Sequence, residues 1–249
     1  MLKEERFQII LKQLGIDQKV YLAGLSTLLN VSEDTIRRDI KELADQGLLK
    51  SVRGGAVPHS PGPHHFRDRM LYDNDQKQII AKKALGFLKD DQVVLFDGGT
   101  SAMLIAQMLP KDLRLTVITN SFPIASLLEE HEHVEVLFAG GRLLKNSFVT
   151  IGSDTVQFFK KFRADICLLG ICSIHTELGV TGPHYEESEV KRAMIGASKE
   201  VIALATTEKL GTAEAYYVCP TDQLSVIITD QPADNDEFKI YNDLGIRMV

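Results

Sequence analysis

The chain has 249 residues, 44% hydrophobic and 25% charged, the balance of an ordinary globular protein with room for one large domain or two smaller ones. Its net charge of −6 excludes a uniformly basic nucleic-acid binder, and no apolar run approaches the ~20 residues that a membrane-spanning helix needs. The N-terminus, MLKEERFQII, lacks the basic-then-apolar order of a secretory signal, so a cytoplasmic location is expected.

The charge is unevenly spread. Residues 1–57 carry nine Lys/Arg and eight Asp/Glu, whereas the remainder carries nineteen and twenty-six, so any nucleic-acid contact belongs at the front of the chain. Residues 3–14 form one amphipathic helix, and residues 21–29 a second, weakened by Gly24. After a turn at Asn30-Val31, Ser32 stands as N-cap, with Glu33 and Asp34 in the first turn of a third helix that runs to about Asp45. Ile36, Ile40 and Leu43 share one narrow arc of that helix and form its buried face, while Arg38 and Lys41 point away and Thr35 and Arg37 flank them. Helix, tight turn and polar helix make the helix-turn-helix layout. In GLLKSVRGGAV (47–57), LLKSV can form one strand of a hairpin closed at Gly54-Gly55, a wing carrying Lys50 and Arg53. The pairs Glu33/Arg37 and Asp34/Arg38 are also compatible with no more than a salt-bridged solvent face.

Residues 58–75, PHSPGPHHFRDRMLYDND, are rich in Pro, His and charge and suit a linker. His59, His64 and His65 lie there without a Cys or carboxylate shell at ligand spacing, so no metal is expected. From residue 76 onward, six β-rich runs follow: VVLF (93–96), LTVIT (115–119), VEVLFA (134–139), ICLLGI (166–171), VIALAT (201–206) and SVIITD (225–230). Amphipathic helices such as SAMLIAQML, PIASLLEEH and ESEVKRAMIGASKEV fall between several of them. This predicts a mostly parallel α/β sheet covered on both faces, following a small N-terminal winged helix-turn-helix domain. Ligands of such sheets bind at the carboxyl ends of the strands. Cys167, Cys172 and Cys219 fit no zinc spacing and read as apolar fillers.

At the first of those strand ends stands Asp97-Gly98-Gly99-Thr100-Ser101. The two glycines let amide N–H groups face an anion, and the helix that follows adds its positive end. Thr119-Asn120 and Gly140-Gly141 end the next two strands and are expected in the same crevice. Arg142, Lys191 and Lys209 are candidate phosphate cations, and Asp97 a candidate acceptor for a sugar hydroxyl. The loop matches neither a P-loop nor a Rossmann fingerprint, and no cofactor is implied.

The string LSTLLNVSEDTIRRDIKELADQGLLKSVRGGAV resembles the N-terminus of the DeoR family of bacterial transcription regulators. The resemblance continues through Phe66–Lys77, DGGTS (97–101), TNS (119–121), GGR (140–142), Gly152, GVT (179–181), VKRAM (190–194) and KLG (209–211). It implies that residues 32–46 read the major groove of an operator, that the wing contacts its backbone, and that the C-terminal domain is a sensor of the ribose-5-phosphate isomerase and CoA-transferase type. A phosphorylated sugar or related metabolite is then the expected effector, and a homo-oligomer, dimer or tetramer, the expected DNA-binding form. Gly24, Ser26 and Thr206 depart from the family pattern, the last standing where an Asp is usual. The alternative is a sugar-phosphate isomerase or lyase with an accessory N-terminal module. Against it, the stretch where such an isomerase keeps its acids reads ICSIHTE, with only Glu177 and a lone His175 as candidate base. Glu186, Glu187 and Glu189 read as the outer face of the next helix.

Overall fold

The structure is a computed structural model that describes residues 1–17, 19–58, 62–63 and 65–249. His59 and His64 lie outside the described residues. The N-terminal domain runs α1 (Lys3–Asp17), β1 (Val20–Tyr21), α2 (Leu22–Leu29), α3 (Glu33–Asp45), β2 (Lys50–Val52) and β3 (Gly55–Val57). The strands pair antiparallel in the order β1-β3-β2. Ile36, Ile40 and Leu43 of α3 pack with Ile10, Leu14, Leu25 and Leu29 in one small core. Ser32 caps α3 by accepting the amide of Thr35 at 3.3 Å. Asp39 turns inward and takes two hydrogen bonds from the Arg6 guanidinium at 2.6 and 2.9 Å, fastening α3 to α1.

The wing depends on a close approach. A Cβ at Gly55 would lie 1.8 Å from the carbonyl oxygen of Val20, on the strand that pairs with it. At Gly24, on the exposed side of α2, a Cβ would meet nothing within 4 Å. Opposite effects are therefore expected in one domain. Gly55→Ala should destabilise it by about 1–3 kcal/mol through overpacking. Gly24→Ala should stabilise it by up to about 1 kcal/mol through helix propensity. Denaturant unfolding of the two variants checks both signs.

The second domain begins with α4 (Phe66–Leu71) and α5 (Asn74–Leu85), then β4 (Gln92–Phe96), α6 (Thr100–Gln107), β5 (Leu115–Thr119), α7 (Phe122–Leu127) and β6 (Val134–Phe138). A hairpin of β7 (Arg142–Leu144) and β8 (Val149–Ile151) leads into α8 (Ser153–Phe159) and β9 (Ala164–Gly170). The chain continues through β10 (Ser173–His175), β11 (Gly179–Gly182), α9 (Tyr185–Gly196), β12 (Ser198–Leu204), β13 (Tyr216–Cys219), β14 (Val226–Ile228), α10 (Lys239–Asn242) and β15 (Arg247–Met248). Seven strands form one sheet in the order β15-β14-β12-β9-β4-β5-β6, every neighbouring pair parallel. All six expected strands are in it. Side chains alternate between two cores: Val94, Phe96, Val117, Leu168 and Ile202 on one face, and Leu95, Ile118, Cys167, Leu169 and Ala203 on the other. The architecture is thus a helix-turn-helix region followed by an α/β domain built on a seven-stranded parallel sheet.

The order of winding positions the site. From β4 the chain builds outward through β5 and β6, then returns to place β9 on the opposite side of β4. The sheet therefore has a topological switch point between the carboxyl ends of β4 and β9, where a crevice opens in folds of this kind.

Several elements differ from the expectations drawn from the sequence, among them the β7–β8 hairpin and β15, which no expected strand covers. Phe66–Leu71, within the stretch read as linker, is helical; Phe66 is buried in the sheet-domain core and its amide donates to the Asn146 carbonyl at 2.7 Å. The run read as one helix from Glu187 to Val201 ends at Gly196, and Ser198 already belongs to β12. A small antiparallel sheet, β10-β11-β13, lies in a region read without strands.

Candidate functional site

Two surfaces gather the candidate residues. On α3, Arg38 and Lys41 are exposed, as is Arg53 at the tip of the wing, and no hydrogen bond or ion pair within the described residues engages them. Arg37 is also exposed but pairs with Asp34 at 2.7 Å. Neither of the (i, i+4) pairs considered from the sequence forms. Ser32 is occupied as N-cap, and its hydroxyl lies 3.0 Å from that of Thr35. Lys50 faces the second domain and lies 3.9 Å from Glu214.

The second surface is the crevice at the switch point. Gly98, Gly99, Thr100, Ser101, Lys191 and Lys209 line it, as the sequence reading placed them. The two glycines differ. A Cβ at Gly98 would lie 2.0 Å from Val149 Cγ1, whereas at Gly99 it would meet nothing within 4 Å. Gly98 is there for packing, and Gly99 leaves open space in front of the first turn of α6. No side chain caps that helix, so its leading amides have no partner within the helix.

Asp97 and Lys191 are both buried and form an ion pair with each other. The Asp97 carboxylate also accepts the Gly170 amide at 2.8 Å, and the Lys191 ammonium donates to the Gly170 carbonyl at 3.0 Å. Burial works against the ammonium, but the Asp97 and Glu187 carboxylates outweigh it and raise Lys191 above its ordinary value. This corrects the expected division of labour, because the cation and the hydroxyl acceptor neutralise each other. Removing one partner leaves an uncompensated buried charge. Lys191→Met is expected to destabilise the domain by about 3–5 kcal/mol, and Asp97→Asn/Lys191→Met to recover part of that loss. Equilibrium unfolding of the single and double variants checks both.

The crevice cations that remain come mostly from residues the sequence reading did not select. Arg69, at the end of α4, has a buried Nε and Nη2 with no hydrogen-bond partner among the described residues. Lys77 lies 4% exposed on α5, on the same stripe as Ile80, Ala81 and Ala84. Its ammonium donates to the carbonyls of Arg69, at 2.7 Å, and Tyr72. Burial, and then the charge of Lys209, push Lys77 down to about 8. Burial also lowers Lys209, which donates to the Ile171 carbonyl at 3.0 Å. Tyr72, Ser147, Cys172, His184, Glu187 and Glu214 complete the polar lining. Glu187 is a correction: it sits on the inner stripe of α9 with Val190, Lys191 and Met194, buried, and accepts the Ser147 hydroxyl at 3.1 Å.

Six expected residues do not line this crevice: Asp97, held in its buried ion pair, and Thr119, Asn120, Gly140, Gly141 and Arg142. The β7–β8 hairpin folds over the ends of β5 and β6, where Thr150 donates to the carbonyls of Asn120 and Ala139, while the buried Asn120 Oδ1 has no partner among the described residues. Asn120 Nδ2 donates to the Thr150 carbonyl at 2.7 Å, and Thr119 donates to the Phe96 carbonyl at 2.7 Å. Gly140 accepts from Thr155 at 2.8 Å, and exposed Arg142 pairs with Glu186. Thr206 is buried beside Glu208, outside the lining. His175 lies in a separate groove between the two domains. Its Nδ1 accepts the amides of Glu177 and Leu178 at 3.1 and 3.4 Å, and burial followed by the Lys19 charge lowers its pKa.

An anion in this crevice benefits from a protonated Lys77. The folded protein releases that proton near pH 8, whereas the unfolded chain holds it to about 10.5. The Lys77 contribution to stability therefore rises with pH across that window, while its contribution to anion binding falls. Sulfate affinity, free of any titration of the ligand in this range, is expected to drop as pH rises through about 8, and Lys77→Arg to make the drop smaller, leaving the part carried by Lys209. Calorimetric titration with sulfate at several pH values checks this.

No group of three or more His, Cys, Asp or Glu among the described residues could hold a metal ion, and no helix among them is long and apolar enough to cross a membrane.

Comparison with known proteins covers both domains. The profile of the DeoR-like helix-turn-helix domain matches residues 6–61, and that of the DeoR C terminal sensor domain matches residues 73–231. The chain is 33% identical over 235 residues to the HTH-type transcriptional repressor GlcR of Bacillus subtilis, covering 93% of this chain and 90% of that one. It is 29% identical over 220 residues to the glycerol-3-phosphate regulon repressor of Escherichia coli, covering 88% and 87%. Among solved structures, ribose 5-phosphate isomerase A of Methanocaldococcus jannaschii aligns over 55% of each chain at 18% identity, with a TM-score of 0.41.

Proposed function

The chain belongs to the DeoR family of transcriptional regulators, and we propose that it is a cytoplasmic repressor of a sugar-utilisation operon, controlled by a phosphorylated sugar or related polyol phosphate bound in the crevice between β4 and β9. What carries the sensor half is Arg69. A guanidinium with two buried donors and no protein acceptor among the described residues is costly unless an anion completes it. Lys209, Lys77 and the uncapped start of α6 converge on the same crevice. The buried carboxylate of Glu187 offers an acceptor for hydroxyl groups. The name of the Escherichia coli relative, a glycerol-3-phosphate regulon repressor, supports the same chemical class.

For the DNA half, Arg38 and Lys41 on α3 enter the major groove, with Arg37 and Thr35 beside them and Arg53 on the backbone. One such module has a small footprint, so the operator is read by at least a dimer on paired half-sites. The effector acts by binding one arrangement of the oligomer better than the other, which alone can shift DNA affinity.

A thermal-shift screen tests the sensor. Phosphorylated sugars or polyols should raise the melting temperature by mass action, their unphosphorylated counterparts should not, and Arg69→Ala or Gly99→Val should abolish the shift. No shift with any phosphorylated compound would refute the reading. For the reader, Arg38→Ala should weaken operator binding by about 1–3 kcal/mol with reduced discrimination. A loss equal on all DNA sequences would make Arg38 a backbone contact.

Glu187 favours one second reading, a sugar-phosphate isomerase, because it places a buried carboxylate beside the ammonium of Lys191 in the crevice. Conversion of pentose or hexose phosphates, lost in Glu187→Gln, would replace the pure-sensor reading.

A further inference from the structure

The sensor grips the DNA-binding domain through two acids. Lys19, just before β1, pairs with Glu177, which follows β10. Lys50, the first residue of β2, lies 3.9 Å from Glu214, which precedes β13. β2 is an edge strand of the wing, the element expected on the DNA backbone.

Glu214 is no ordinary surface acid. Its side chain is 4% exposed, against 30% for Lys50. Its amide donates to Thr181 Oγ1 at 2.8 Å, which fixes the backbone against β11. It also lines the crevice. Glu214 therefore stands between the proposed effector's crevice and the wing. The signs are complementary: the first 57 residues are slightly basic and the remainder strongly acidic. At 3.9 Å the pair lies beyond hydrogen-bonding distance, and its Lys50 end stays partly exposed, so the ammonium can pass to a phosphate.

We infer that Glu214 is the sensor's hold on the wing: in the free protein it withholds Lys50 from DNA, so the contact is autoinhibitory. A lysine ammonium placed against this carboxylate does not at the same time neutralise a DNA phosphate, and binding DNA through the wing breaks the contact. The inference rests on the DNA-binding reading above.

The test is a double-mutant cycle with full-length protein. The probe is a labelled duplex selected by the wild-type protein from a random-sequence library, with affinity read by fluorescence anisotropy at one fixed salt concentration. Glu214→Gln should bind about two- to fivefold tighter than wild type, the modest gain expected from a pair too far apart to hydrogen-bond. In a Lys50→Ala background the same substitution should change nothing. Equal tightening in both backgrounds would show a through-space charge effect and overturn the inference, as would no change or weaker binding in the wild-type background. If Glu214→Gln lowers the melting temperature, Glu214→Asp retracts the carboxylate while keeping its charge. Tighter binding is again expected, and unchanged or weaker binding overturns the inference. A selection that yields no duplex refutes the DNA-binding reading and the inference with it, whereas additivity on a bound duplex refutes the inference alone.

Discussion

The structure turns on a buried charge pair at the switch point of the sheet. Asp97 ends β4, Lys191 comes from α9, and both hold the backbone of Gly170 at the end of β9. The two strands that part at the switch point are thereby tied at their carboxyl ends, and the first turns of α9 are drawn over them. The pair also settles the electrostatics of the crevice. With Asp97 and Lys191 neutralising each other, the charge available to a ligand is that of Arg69, Lys77 and Lys209 against Glu187 and Glu214. That arrangement suits a ligand with an anionic end and hydroxyl groups elsewhere.

The segment between the two domains takes part in this site. Phe66 anchors α4 in the core below the sheet, Lys77 holds the carbonyls of Arg69 and Tyr72, and Tyr72 donates to Glu208 at 2.8 Å, one residue before Lys209. The piece of chain that leads from the wing thus forms one wall of the crevice. A ligand that orders Arg69 acts on the segment next to the DNA-binding domain, and Glu214 meets that domain from the other side. Both routes are short and polar, and each involves residues that the parallel sheet itself does not need.

Much of this was legible in the sequence because it follows from periodicity. Runs such as VVLF and LTVIT read as buried parallel strands, and the spacing of Ile36, Ile40 and Leu43 placed the inner face of α3. The DGGTS loop announced a strand end built for an anion. What escaped was of two kinds. The strands of the small sheet, such as GVTG and SIH, are too short and polar to carry a pattern. Glu187 reads as exposed because charge is usually exposed, and Lys77 draws no reading at all. Lys77 and Glu187 nonetheless sat at core positions of their helices, in the series 77, 80, 81, 84 and 187, 190, 191, 194. A charged residue on an apolar stripe was the available signal. No local pattern could show that the 142–151 hairpin would occupy the ends of β5 and β6 and exclude Asn120 and Arg142 from the crevice, since that contact joins segments distant in sequence.

The central claim is that crevice and operator are linked, and linkage is reciprocal. The decisive measurement is the affinity of the full-length protein for its operator with and without a saturating phosphorylated sugar, paired with its affinity for that sugar with and without saturating operator, all at one salt concentration. The account predicts that both affinities change by the same factor, well away from one. A sugar phosphate that binds tightly in the crevice and leaves operator affinity unchanged would contradict it.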